Sequence, residues 1–374
     1  MFSWLKKSAS SCLGPIKRCV GMDNEQDLQI LDDDENIWSN DLEKHFCGEF
    51  SFAVAQANPI LEDQSQVETG PHATFVGVYD GHRGRDAASY ISNHLAQHIQ
   101  RLVRETGRMS ENKIRIAFSE TENGFLGHVR GHFGSRPLVA TIGSCCLVGV
   151  ICADILYVAN LGDSRAVMGC LGRSNTIVAE QLTQDHNARE EDVRRELQAL
   201  HPDDPEIVVQ MQGIWRVKGM IKVSRSIGDA FLKSQEFALD ESHPDFHLSE
   251  PLQRPVLSAD PIITKRNLRP NDKFLIFASN GLWDYLTNEE AVEIVHKNPR
   301  LGIAKRLLMS AIKKGAERTN TPYRNIKTLP SWERRNVHDD ITIVVIFIDP
   351  ANASPHEISV RGFVNDVGSS NFSI

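Results

Sequence analysis

Several apolar runs in this sequence begin or end on carboxylates. Val76–Val78 leads to Asp80 and Gly81, and Ile155–Ala159 leads to Asp163. Phe274–Ala278 leads through Asn280 to Asp284, and Asp339 and Asp340 stand just before Ile341–Ile348. Glu62 and Asp63 add a further acidic position after the first strand-like segment. One acid at a strand end is ordinarily a turn former. Several in a repeated strand–acid context ask for another reason, because carboxylates beside apolar cores are costly unless paired or bound to metal. Oxygen-only sets suit the hard cations Mg²⁺ or Mn²⁺. No Cys/His set has the spacing of a zinc site. Two such ions about 3.5–4 Å apart would hold a water between them and make hydroxide available at neutral pH. They would also neutralise the oxygens of a phosphoryl group under in-line attack. His82, two residues after Asp80, has an ordinary pKa close to neutral and suits protonation of a departing seryl or threonyl oxygen. The plainer alternative for His82 is a polar loop residue.

The elements that must position these groups are legible as periodicities. Residues 51–57 and 73–80 have strand character. Ala87, Ala88, Ile91, Leu95, Ile99, Leu102 and Val103 recur at helical spacing over 85–104, and a second helix is expected over 111–128. Residues 143–169 read as two buried strands and a third after a tight turn at Leu161–Ser164. An exposed helix is expected over 188–200, a buried strand over 273–279, helix over 289–316 and a last strand over 341–348. Strands and helices come in groups rather than in strict alternation. That favours an α+β architecture of packed sheets with helices outside over a doubly wound parallel sheet.

The 374 residues, 41% hydrophobic and 24% charged, allow one large domain with extensions or two domains. A net charge of −8 argues against a nucleic-acid partner. Seven cysteines without a CxxC pair, three of them (Cys145, Cys146, Cys152) among apolar neighbours, point to reduced thiols and an intracellular protein of cytoplasm or nucleus. No run approaches the roughly 20 apolar residues that span a bilayer. There is no apolar core of a secretory signal, and Phe2 does not meet the myristoylation pattern. Residues 1–25 set Phe2, Trp4 and Leu5 beside Lys6, Lys7, Lys17 and Arg18. They read as a solvated terminus, with peripheral contact to an anionic plasma-membrane surface as the alternative. The expected organisation is a flexible extension over 1–47, a catalytic domain over 48–349 and a loose tail over 350–374.

The motifs VYDGHRG (78–84), LGDSRA (161–166), VSRSIGDAFLK (223–233), FASNGLWD (277–284) and HDDITIVV (338–345) resemble, in order and spacing, the signature set of type 2C metal-dependent protein serine/threonine phosphatases. QANPILEDQSQVETG (56–70) is most similar to the plant subgroup called clade D. The resemblance implies an αββα sandwich of two antiparallel sheets flanked by helical pairs. It implies two Mg²⁺ or Mn²⁺ ions, with Asp80 bridging both, Gly81 offering its carbonyl and Asp339 binding the first. It implies a third, weaker ion at Asp163 and Asp284. Asp63 with Glu62 would orient the water, His82 would be the general acid, and residues 185–235 would form a flap. The implied partner is a phosphoprotein substrate, met by a monomer.

Three residues depart from the family pattern. Arg83 replaces a glycine, and would either strain the loop or bring a cation to the phosphate. Asn58, followed by Pro59, stands where the family usually has a phosphate-gripping arginine. Asn280 stands where a metal-binding aspartate is usual. The expected function is therefore a phosphatase weakened by Asn280. The alternative is a pseudophosphatase that binds phosphoproteins or regulators without turnover. A two-metal nuclease is disfavoured by the acidic charge.

Overall fold

The computed structural model describes residues 34–349, 357–362, 367–368 and 372. The basic segment 1–25 lies outside them. Two antiparallel sheets form the centre. The first has the order β1 (Ile37–His45), β2 (Gly48–Ala55), β16 (Ile341–Phe347), β15 (Asp272–Ala278), β9 (Arg165–Leu171), β10 (Ile177–Gln181). The second runs β14 (Ile262–Asn267), β8 (Ile155–Leu161), β7 (Cys146–Cys152), β4 (Ala73–Tyr79), β3 (Gln64–Thr69), β17 (Ser359–Arg361), β18 (Val367–Gly368). A small sheet joins β13 (Ile227–Gly228), β6 (Gly143–Ser144) and β5 (Gly81–His82), and a separate hairpin joins β11 (Val208–Met211) to β12 (Ile214–Val217).

Side chains alternate across each strand, and here both faces are covered. Phe50, Phe52 and Val54 of β2 join Val76, Val78, Leu147, Leu275, Phe277, Val344 and Ile346 between the sheets. Ala53 and Ala55, with Ile276, Ile343 and Val345, face the opposite way, onto helices. Double burial is why these strands read as continuous apolar runs rather than as alternating ones. The sheets approach closely where Gly149 of β7 lies under the ring of Phe277 of β15, and a Cβ there would overlap that ring. Large-to-small substitution of such a buried aromatic typically costs about 3–5 kcal/mol.

The outer layers are helical pairs. α1 (Asp86–Thr106) and α2 (Glu111–Phe133) bury Ile91, Leu95, Ile99, Phe118 and Phe125 against the second sheet. The charged α3 (Glu191–Leu200) buries only Val193 and Leu197. α4 (Asn280–Trp283), α5 (Asn288–Lys297), α6 (Ile303–Arg318) and α7 (Ser331–Val337) cover the first sheet. The expected helix over 289–316 is thus two helices. Thr287 and Glu290 cap the start of α5 reciprocally, and the chain breaks after it at Pro299 and at Gly302, which has φ +74°. The αββα sandwich is the observed architecture.

The sheets also reach beyond residues 48–349. β1 comes from the segment expected to be a flexible extension, and β17 from the expected tail; they pair with β2 and β3. The sequence IWSNDLEKH of β1 carries little apolar alternation, because the strand lies at an edge and most of it is only half-buried. Ladder hydrogen bonds and one carboxylate hold it there. Asp41 Oδ1 accepts from Ser51 Oγ at 2.5 Å, and its Oδ2 accepts from Gly302 N at 2.6 Å, tying β1 to β2 and to the start of α6. Asp41→Ala leaves those two donors without an acceptor. It is expected to destabilise the fold by about 1–3 kcal/mol in denaturant unfolding, whereas β1 serving as a dispensable extension would leave the midpoint unchanged.

Candidate active site

Strand register brings the acids together. Gln64 of β3 pairs with Tyr79 of β4, so Asp63, one residue before, lies beside Asp80, one residue after. Cys146 of β7 pairs with Leu161 of β8, which sets Cys145 next to the Gly162–Asp163 turn. Ala278 of β15 pairs with Ile343 of β16, and the ladder continues through Ser279 and Thr342 to bring Asn280 towards Asp339 and Asp340. All three pairings end at one rim of the sandwich. The result is a cleft of about 310 Å³ lined by Glu62, Asp80, Gly81, His82, Asp163, Asn280 and Asp339, with Arg83, Cys145, Arg335 and the flap residues Arg216 and Met220–Val223 around them. Gly81 must be glycine: a Cβ would overlap the Glu62 carbonyl.

Asp63 is buried behind the cleft, where its Oδ2 accepts from Thr342 Oγ1 at 2.8 Å. Burial, then the nearby Asp340 and Asp339 carboxylates, hold its carboxyl well above the usual range. Asp80 is raised likewise, by desolvation first and then by Asp63, Asp163 and Asp339. Burial raises Asp339 and Glu62 too. Without a cation, the rim therefore holds protons that ordinary carboxyls would release. Asp340, a neighbour to which the sequence assigned no role, organises the wall. Its Oδ1 accepts from Ala57 N at 2.7 Å and Asn58 N at 3.0 Å, and its Oδ2 from Glu62 N at 2.9 Å. Glu62 Oε1 in turn accepts from Gly84 N at 2.6 Å and so pins the loop that carries Asp80 and His82.

The donor set fits a hard divalent cation. Asn280 Oδ1 is buried and has no hydrogen-bond partner, an orphaned acceptor at the edge of a ring of carboxylates. Cys145 Sγ lies among Asp80 and Asp163, their ligand atoms all within 4.8 Å of one another. Burial, then Asp163 and Asp80, push its thiol well above the usual range. It is thus a protonated donor to Asp163 Oδ1 at 3.4 Å rather than a thiolate ligand. Asn187 Nδ2 holds the other Asp163 oxygen at 2.7 Å. Asp284 is not among the residues that line the cleft, and its Oδ1 lies 3.5 Å from Arg189 Nη1; burial and then the nearby Asp163 carboxylate raise its carboxyl above the usual range.

His82 has a partner that the sequence reading missed. Its Nε2 lies 2.9 Å and 3.0 Å from the two oxygens of Asp229, a fully buried acid within the motif VSRSIGDAFLK. Burial raises the Asp229 carboxyl, but His82, Ser226 Oγ at 2.6 Å and Arg83 more than offset it, and it sits below the usual range. The acid in the motif was visible, but its pairing with a histidine 147 residues away in sequence was not. Arg83 does take a left-handed backbone, φ +62°, a conformation that costs a non-glycine residue about 1–2 kcal/mol. Its side chain turns from the rim carboxylates, keeps Nη1 3.8 Å from Asp229 Oδ1, and reaches the flap. Nη2 donates to the Met220 carbonyl at 3.2 Å, and the guanidinium lies over the ring of Phe246 at 4.7 Å.

A packed αββα sandwich with an acidic rim cleft and a histidine–aspartate pair defines a class of hydrolase, and the comparisons agree with it. The family model for protein phosphatase 2C matches residues 49–320. Rice "Probable protein phosphatase 2C 43" (Oryza sativa subsp. japonica) is 57% identical, covering 100% of this chain and 98% of its own. "Probable protein phosphatase 2C 68" of Arabidopsis thaliana is 54% identical, covering 100% and 99%. Among solved structures, the serine-threonine phosphatase 2C from Toxoplasma gondii shares the fold with a TM-score of 0.55 at 17% identity, over 84% of this chain and 94% of that one. The chain belongs to the protein phosphatase 2C family. It is an enzyme of that class, a metal-dependent protein serine/threonine phosphatase.

Two outcomes follow from the charges. Because Asp63 and Asp80 bind protons more tightly folded than unfolded, raising the pH above the ordinary carboxylate range penalises the folded state. The Tm of chelator-treated protein is expected to fall through that window, and Mn²⁺ to raise Tm more at its upper end; a metal-induced gain independent of pH would contradict the assignment. Asn280→Asp restores a unit of negative charge at the orphaned oxygen. It is expected to tighten Mn²⁺ binding by calorimetry and to raise activity at limiting metal by about tenfold. Mass spectrometry must first exclude deamidation at Asn280–Gly281, and unchanged affinity and turnover would show that this oxygen is not a ligand.

Proposed function

We propose that this cleft hydrolyses phosphoserine and phosphothreonine in proteins with two Mg²⁺ or Mn²⁺ ions. Asp80, the Gly81 carbonyl, Asp339 and the Asn280 amide oxygen would hold them, and a third ion would sit at Asp163. The observation that carries the reading is the junction of the carboxylate ring with His82, oriented by Asp229, in one cleft. The ions would supply an acidified water and positive charge for the phosphoryl oxygens. Asp63 and Glu62 set the floor and the loop on which that water is oriented. Asp229 accepts a hydrogen bond from His82 Nε2–H and orients the ring, leaving Nδ1 to deliver a proton to the seryl or threonyl oxygen as its bond to phosphorus breaks. Asp284, held by Arg189, is left outside this set.

The full-length plant relatives and the Asn58 substitution support placement near the plant clade D subgroup. The absence of a disulfide among the described cysteines supports an intracellular site of action. We take the working form to be a monomer, with the basic segment 1–25 as the part able to meet a membrane surface. The missing charge at Asn280 favours one second reading, a pseudophosphatase that keeps phosphopeptide binding and has lost turnover.

Mn²⁺-dependent phosphate release from a phosphothreonine peptide, with Asp80→Ala as the blank, decides between the two readings. Within the enzyme reading, His82→Ala is expected to lower turnover on that peptide by about 10²–10⁴-fold. On an aryl phosphate with a good leaving group, which needs no proton, the loss should be much smaller. Equal losses on both substrates would sink His82 as the acid.

A further inference from the structure

The cleft's carboxylates would repel a phosphoryl dianion, and beside the ions proposed above a basic side chain facing the cleft would offset that repulsion. Four basic residues line the cleft: Arg83, Arg216, Lys222 and Arg335. Arg83 and Arg216 both donate to the Met220 carbonyl, at 3.2 Å and 3.1 Å, and are committed to the flap. Lys222 is exposed on that flap. Arg335 differs from all three. It projects from α7 four residues before Asp339, and its Nη1 sits on Asp339 Oδ1 at 2.5 Å. Its other N–H groups have no hydrogen-bond partner among the described residues, and 46% of its side chain is exposed. Asp339 Oδ1 also accepts from Asp340 N at 2.8 Å, while Oδ2 accepts nothing among the described residues and stays available to a cation. A metal ion and Arg335 can therefore share Asp339, with the open edge of a planar fork beside the ion. A guanidinium edge of that kind matches two phosphoryl oxygens. Asn58 adds no cation to the same wall: its backbone N is fixed on Asp340, and its amide reaches Glu62 Oε2 at 3.4 Å.

We propose that Arg335 is the phosphoryl-binding residue of this cleft, gripping the oxygens of the substrate phosphate and of released inorganic phosphate. The assignment rests on the phosphatase reading for its substrate, but its test does not need turnover. Binding of inorganic phosphate to Mn²⁺-saturated protein is measured by calorimetry for the wild type, Arg335→Gln, Arg335→Lys and the double variant Asn58→Arg/Arg335→Gln. Mn²⁺ binding alone is measured in parallel. Arg335→Gln is expected to weaken phosphate binding by at least about tenfold, as loss of charge-assisted hydrogen bonds does, with Mn²⁺ affinity kept or tightened. Lysine, which keeps the charge and loses the fork, should fall between, and an arginine at position 58 on the same wall should recover much of the loss. On a phosphothreonine peptide the loss should appear in KM more than in kcat. Unchanged phosphate affinity in Arg335→Gln overturns the proposal. So does a loss matched by an equal loss of Mn²⁺ affinity, which would make Arg335 only a brace for Asp339. If Arg335→Gln does not fold, Arg335→Lys carries the same comparison. If the wild type turns over no phosphopeptide yet binds phosphate through Arg335, the proposal stands and the catalytic reading falls.

Discussion

Asp63 and Asp80 lie side by side at the rim of the sandwich, and both are held well above their ordinary protonation range, Asp63 by burial and then Asp340 and Asp339, Asp80 by burial and then Asp63, Asp163 and Asp339. Much else in the molecule depends on this crowding of like charge. A carboxyl pair of this kind is stable only with protons or with a cation between its members. The chain keeps both acids in place by setting them opposite each other at the open end of one antiparallel ladder, just beyond the Gln64–Tyr79 pair of β3 and β4. Metal binding in such a site relieves repulsion that folding has already built in. Asn280 adds to this rim a buried acceptor oxygen without a hydrogen-bond partner and without a charge.

The sandwich supplies the rigidity. Phe277 over Gly149 and the double-sided burial of β2, β4, β15 and β16 lock the two sheets together. Loops leaving those strands therefore start from fixed points. Asp340 then acts as a backbone clamp, gathering Ala57, Asn58 and Glu62 with three hydrogen bonds. Its neighbour Asp339 is left to face the cleft. Adjacent acids thus divide the work between structure and chemistry, according to which way each points at the start of β16.

A second linkage runs from the catalytic loop to the flap. Asp229 meets His82, Ser226 and Arg83, while Arg83 reaches on to Met220 and Phe246. The strained backbone of Arg83 is the cost of placing a long cationic side chain where a glycine would leave a gap. In exchange, the loop carrying His82 and the segment bordering the cleft share one carboxylate.

Double burial wrote the main strands into the sequence as apolar runs, and helical periodicity did the same for α1 and α2. The acids at strand ends, and His82 beside them, stood out because charged residues at such borders need a reason. What pattern could not carry was pairing. β1 is polar because it lies at an edge, so ladder bonds and Asp41 hold it rather than an apolar stripe. Asp229 and His82 meet only because β13 and β5 both pair with β6. Asp284 looked equivalent to the other acids along the chain, yet one helical turn sets it beside Arg189 as well as near Asp163. Residue type and local period were enough to determine the layers and to nominate the acids. Which of those acids share a cation, and which cations face them, was decided by register and strand order, because those alone bring residues far apart in sequence within reach of a hydrogen bond.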